Sequence, residues 1–174
     1  MKDRKKTTEL KGSQIEISVT INNQPQNLLV GKNESLLDTL RRASYFSVKH
    51  GCDDGTCGVC TVLLNGKPVR SCKIKAAEVN GAGITTLEGL SQDNQVHPIQ
   101  QAFIETGAIQ CGFCTPAQIL SAKALLDRNV NPTDDEIRQV LNPILCRCTG
   151  YIRGVDAIQR AAAMMRGEKL APYS

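Results

Sequence analysis

Eight cysteines hold most of the chemistry this chain could perform: Cys52, Cys57, Cys60, Cys72, Cys111, Cys114, Cys146 and Cys148. The first three stand at C-x4-C-x2-C, and Cys72 follows after a candidate hairpin. This is the plant-type spacing for a [2Fe–2S] cluster, in which a tight loop brings three sulfurs around two irons and a neighbouring strand brings the fourth. Gly51, Gly55 and Gly58 make such a loop feasible, because glycine accepts φ > 0 and lets backbone N–H groups approach the sulfurs. With two ferric ions, two sulfides and four thiolates the oxidised cluster is dianionic, so nearby donors tune its potential. Zinc is the alternative, but zinc sites usually pair two C-x2-C knuckles, and Cys52 stands apart at the four-residue spacing. His50 and His97 lack the placement of Rieske ligands and read as structural or surface residues.

Cys111 and Cys114 form a C-x2-C pair just before Thr115-Pro116, and Cys146-Arg147-Cys148 lies between two later helical stretches. Two helix–helix connections can meet around one cluster, where helix N-termini offer unpaired N–H groups and partial positive charge to an anion. This spacing alone leaves zinc open for the second set.

Elements must carry these cysteines. Gln14 to Thr20 alternate as a half-buried strand; Asn22 to Pro25 supply turn residues before Asn27 to Val30. Ser35 can cap a short helix from Leu36 to Arg42. Asn65-Gly66 marks a hairpin between Thr61–Leu64 and Lys67–Arg70, and another strand is expected near residues 83–86. Beyond a polar linker at Ser91–Gln95 the pattern turns helical. Pro98 starts one helix, and Thr115-Pro116 reads as a cap and first-turn proline for Ala117 to Leu126. Thr133 to Glu136 form a capping box, and a last helix runs from about Ile152 to Met165. The expected organisation is a basic flexible tail at 1–12, a ferredoxin-like domain at 13–90, a helical domain at 91–166 and a C-terminal tail at 167–174.

The totals narrow the classes. A chain of 174 residues, 41% hydrophobic and 22% charged, suits one globular domain or two small ones. No apolar run is long enough to cross a bilayer, and the lysine-rich start is not followed by an apolar stretch, so neither membrane insertion nor a secretory or twin-arginine signal is expected. A cytoplasmic location follows, and closely spaced cysteines there favour metal over disulfides. Aromatics at 3% and a net charge of +4, much of it in the first eleven residues, give nucleic acid little to bind.

The stretches Gly51-Cys52-Asp53-Asp54-Gly55-Thr56-Cys57-Gly58-Val59-Cys60-Thr61, Gln110-Cys111-Gly112-Phe113-Cys114-Thr115-Pro116 and Cys146-Arg147-Cys148-Thr149-Gly150-Tyr151 closely resemble the iron–sulfur subunit of the xanthine dehydrogenase/aldehyde oxidase/CO dehydrogenase family of molybdenum hydroxylases. The resemblance runs from about Ile15 to Met165. It implies an α+β chain, a plant-ferredoxin-like β-grasp domain followed by a four-helix bundle, each with one [2Fe–2S] cluster. It further implies an electron-transfer role beside a large molybdopterin subunit (cytosine dinucleotide form) and a medium FAD subunit, in a complex that dimerises as a whole. The cluster of Cys111, Cys114, Cys146 and Cys148 would lie nearer molybdenum, and that of Cys52, Cys57, Cys60 and Cys72 nearer flavin. Gln110 matches the family glutamine that hydrogen-bonds the pterin; otherwise it is a helix-end glutamine facing solvent. Arg147 is a candidate donor to cluster sulfurs, an interface brace, or a plain surface arginine.

Departures from the family pattern are Asp53 for a frequent glycine, Ala117 for a common glycine, and Asn142-Pro143-Ile144 before the second cysteine pair. Asp53 and Asp54, unless screened, are expected to lower the first cluster's potential. A free-standing ferredoxin-type carrier and a zinc-stabilised interaction module are the competing readings. The substrate would be chosen in another chain.

Overall fold

Alternation of Ile17, Val19 and Ile21 with polar neighbours commits residues Gln14–Ile21 to a strand, β1, whose apolar side is buried. In the computed structural model, which describes residues 14–91 and 95–173, β1 turns at Asn22-Asn23 into β2 (Gln24–Gly31). Both asparagines take positive φ, as a two-residue hairpin turn demands. Gln24 and Pro25 therefore belong to the strand and not to the turn, and Pro25 is tolerated because β2 lies at the sheet edge. The expected basic tail and Gln92–Asn94 of the linker lie outside the described residues.

Ser35 caps helix α1 (Leu36–Arg42), accepting from the Asp38 N–H at 3.1 Å. The Asn65-Gly66 turn joins β3 (Thr61–Leu64) to β4 (Lys67–Arg70), and β5 spans Gly83–Thr85. The five strands form one mixed sheet in the order β2-β1-β5-β3-β4, with β1 and β5 parallel and the other pairs antiparallel. Leu36, Leu37 and Leu40 of α1 pack with Ile17, Ile21, Val62 and Ile84 in its core. Each such side chain contributes about 1.5–3 kcal/mol by leaving water. Short 3-10 turns not foreseen from periodicity carry the chain from β4 to β5 at Ser71–Lys73 and Ala76–Val79, and out of β5 at Leu87–Gly89.

The second half consists of α2 (Pro98–Glu105), α3 (Thr115–Leu126), α4 (Asp134–Leu141) and α5 (Ile152–Met165). Helix α2 lies along α5, α3 touches α4, and Phe103, Leu120, Ile137, Leu141 and Ile158 fill their shared core. The cap of α3 is Cys114 and not Thr115, which is already helical and buried; Pro116 keeps its expected first-turn position. The architecture is α+β and ferredoxin-like in its sheet half. The halves are not independent: α3 packs on β3 and β4, and Leu63, Leu87 and Leu90 enter the helical core.

The chain end folds back on α5. Tyr173 donates to Asp156 at 2.7 Å, and its ring lies under the guanidinium groups of Arg153 and Arg160. Among the described residues no helix is long and apolar enough to cross a membrane.

Candidate metal centres

The first cysteine loop runs from Gly51 to Cys60, between the segment after α1 and β3. Cys57 and Cys60 are buried; Cys52 and Cys72 are half-buried. The Cys57 N–H points at Cys52 Sγ at 3.4 Å, and Cys60 Sγ and Cys72 Sγ approach to 3.4 Å. Side chains and backbone lock the loop: Thr61 Oγ1 donates to the Gly58 carbonyl at 2.7 Å, Ser71 Oγ to that of Cys60 at 2.7 Å, and Arg70 to that of Gly55 at 2.8 Å. Asp54 accepts from the Thr56 N–H and hydroxyl at 3.0 and 2.8 Å.

The second set gathers where the turn before α3 meets the segment between α4 and α5. Cys111 Sγ and Cys148 Sγ, both exposed, lie 3.5 Å apart. Buried Cys114 and half-buried Cys146 form the inner pair and pack in one cluster. Cys146 Sγ also meets Thr149 Oγ1 at 3.2 Å, while the Cys146 N–H donates to Tyr151 Oη at 2.9 Å. Tyr151 takes a left-handed backbone to do this, with φ 68°, at the start of α5.

Cys60 with Cys72 and Cys111 with Cys148 thus lie sulfur against sulfur, and the Cys57 N–H ties its loop to Cys52. Separations of 3.4 and 3.5 Å are far beyond a disulfide bond of about 2.05 Å. They approach the roughly 3.8 Å that divides two thiolates on one tetrahedral metal with bonds of about 2.3 Å. Among the described residues, no three or more His, Cys, Asp or Glu side chains are close enough to hold a single metal ion. A two-iron cluster needs two thiolates on each iron.

Charge points the same way. Burial, and after it the neighbouring Cys60, pushes the Cys72 thiol up to about 11; burial and then Cys146 push Cys114 up to about 12. Such sulfurs become thiolates at neutral pH only when a cation compensates their charge, as a coordinated metal does. Cys52 and Cys111 shift downward, foremost because the N–H groups of Cys57 and Phe113 point at their sulfurs. The donor set, pairing and aimed N–H groups fit an iron–sulfur cluster in each half.

The two loops touch. The Leu145 N–H donates to the Cys57 carbonyl at 2.8 Å, and Cys57, Val59, Cys114, Ala117 and Ile144 form one buried cluster. A cavity of about 170 Å³ opens over this seam, lined by Gly51, Phe113, Leu145, Arg147 and cysteines of both sets. Gln110 is exposed directly beside Cys111, and Arg147 is exposed between Cys146 and Cys148. His50 pairs with Asp53 at 3.1 Å, and His97 caps α2 by accepting from the Ile99 N–H at 3.2 Å. Thr149 and Tyr151 lie in a stretch that the sequence singles out, but their role as supports, like that of the Leu145 N–H, shows only in the folded loops. A larger cavity of about 580 Å³, bordered by Asn23, His97 and Lys123, lies away from the cysteines.

Two family models match, a 2Fe-2S iron-sulfur cluster binding domain over residues 19–89 and a [2Fe-2S] binding domain over residues 86–159. The nicotinate dehydrogenase small FeS subunit of Eubacterium barkeri is 45% identical over 150 residues, which cover 86% of this chain and 96% of that protein. The aldehyde oxidoreductase of Megalodesulfovibrio gigas is 45% identical over 155 residues, 87% of this chain but 17% of that longer one. Among solved structures, quinoline 2-oxidoreductase from Pseudomonas putida 86 superposes with a TM-score of 0.83 at 41% identity, covering 90% of this chain and 99% of that one.

Proposed function

The chain belongs to the iron–sulfur subunits of the xanthine dehydrogenase and aldehyde oxidoreductase family of molybdenum hydroxylases, and from that premise we propose that it holds two [2Fe–2S] clusters and relays single electrons from a molybdopterin site in a large partner subunit toward FAD or another acceptor. The observation that carries the reading is the gathering of four cysteines on each of two loops, with Cys60 against Cys72 and Cys111 against Cys148, joined by the Leu145–Cys57 hydrogen bond. Each cluster, when bound, supplies a one-electron couple. Cys52 and Cys57 would share one iron of the first cluster, and Cys60 and Cys72 the other. Cys111 with Cys148, and Cys114 with Cys146, would do the same in the second. The N–H groups aimed at Cys52 and Cys111 stabilise thiolate charge, and burial keeps water from the inner sulfurs.

Exposure supports a direction. Cys111 and Cys148 are open to the surface and line one cavity with exposed Phe113 and Leu145, apolar side chains that suit a protein interface. That edge, with Gln110 as pterin contact, would face the large subunit, and the loop of Cys52 would face a medium FAD subunit. A molybdopterin cytosine dinucleotide in the large subunit, dimerisation of the whole complex and a cytoplasmic location complete the proposal.

Native mass spectrometry of the co-purifying complex tests the assembly: a large chain with molybdopterin is expected, and its absence would favour a free-standing carrier. Gln110→Ala should slow electron passage from molybdenum to this chain while leaving both iron–sulfur EPR signals intact. Unchanged transfer kinetics would remove the pterin contact.

A further inference from the structure

We propose that Gly58 sets the gap between the two cysteine sets, because its missing side chain lets the first loop lie backbone against backbone on the segment that leads into Cys146. A Cβ at Gly58 would sit 2.0 Å from the Pro143 carbonyl oxygen, 2.9 Å from its carbon and 3.2 Å from Ile144 Cα. These are main-chain atoms, so none can swing aside as a side-chain tip would. The contact is also held from both sides. Immediately before it the Cys57 carbonyl accepts the Leu145 N–H at 2.8 Å, and the Gly58 carbonyl is gripped by Thr61 Oγ1 at 2.7 Å. Val59 and Ile144 close the seam beneath in a shared buried cluster.

Relieving the clash means opening the contact from 2.0 Å to the 3.4 Å at which ordinary packing begins. Either loop must move, and each carries a cysteine with it: Cys57 adjoins Gly58, and Cys146 follows Pro143 by three residues. Electron passage between two centres decays exponentially with their separation, and the magnetic interaction between them decays with its cube. Gly58 is thus a positioning residue for the relay, an assignment that rests on the two-cluster reading. Gly112 provides the control. It has φ +78° beside Cys111, but its Cβ would meet only Ile109 Cγ2 at 3.9 Å, so Gly112→Ala carries left-handed strain without the clash.

The test compares Gly58→Ala with Gly112→Ala in the intact complex, fully reduced, by low-temperature EPR together with freeze-quenched electron transfer between the clusters. Gly58→Ala should retain both signals, lose part of the splitting that arises from their interaction, and pass electrons several-fold more slowly; Gly112→Ala should keep the splitting. Undiminished splitting in a fully loaded Gly58→Ala protein would overturn the proposal, as would two wild-type signals with no splitting. Should Gly58→Ala fail to assemble, Thr61→Val decides, because it frees the Gly58 carbonyl at nearly constant volume: a reduced splitting supports the assignment and an unchanged one overturns it. A wild-type protein lacking either signal would instead remove the two-cluster reading itself.

Discussion

Around the first cysteine loop, charges of both signs compete for the potential of whatever the loop holds. Asp53 is almost entirely exposed, with 99% side-chain accessibility, and is paired with His50, so solvent and salt screen it over a Debye length of about 8 Å at physiological ionic strength. Asp54 is tied to Thr56, whose N–H foremost holds its carboxyl at about 2, so it is ionised throughout the neutral range and fixed in orientation. On the other side Lys73 lies over Gly55: a Cβ there would fall 2.0 Å from Lys73 Cε, and Arg70 donates to the Gly55 carbonyl. The expected lowering of potential by two aspartates is therefore offset by two cations. Asp54→Asn should raise the first cluster's midpoint more than Asp53→Asn does, and Lys73→Met should lower it, read by EPR-monitored redox titration. Equal shifts for the two aspartates, or a rise for Lys73→Met, would contradict this balance. Asp53 and Asp54 are visible in sequence; Lys73 is not, because only the turn after β4 folds it over the loop.

Helix starts fix the connections that carry the second set. Thr133 and Glu136 form the capping box that the sequence announces, and α4 then delivers the segment reaching Cys146. His97 is less legible, since histidine is not a usual cap residue, yet its Nδ1 accepts from Ile99 and Gln100 reaches back to its N–H. Burial first, and then Lys123, depress the His97 pKa below 6.5, with Asp127 opposing. The folded state therefore binds this proton less well than the unfolded chain. The associated stability is complete above pH 6.5 and is lost as pH falls from there toward the lower folded value. His97→Asn keeps a favourable cap and removes the titration. Its chemical denaturation midpoint should fall less than the wild type's between about pH 7.5 and about pH 5.5. An identical fall would exclude His97 as the cause. Cys114 shows the limit of local reading: Thr-Pro looks like a cap followed by its first turn, but buried contacts of Thr115 move the start of α3 back by one residue.

At the scale of the molecule, sequence spacing reveals two cysteine sets but not how they are joined. C-x4-C-x2-C and Cys-Arg-Cys are local patterns, and the strand, hairpin and helix signals around them are local too. The joint is tertiary: α3 lies on β3 and β4, Leu63 enters the helical core, and Pro143 rests on Gly58. Joined in this way the two cysteine loops are in direct contact, with exposed sulfurs of the second set at the surface, which favours the proposed relay through both over two independent carriers. A stretch like this chain occupies 17% of the longer aldehyde oxidoreductase of Megalodesulfovibrio gigas.

The measurement that bears most directly on this account is the iron and acid-labile sulfide content of fully loaded protein. Four irons and four sulfides per chain are predicted, two of each for every set of four cysteines. A protein with half that content, with iron but no labile sulfide, or with zinc in place of iron would contradict it.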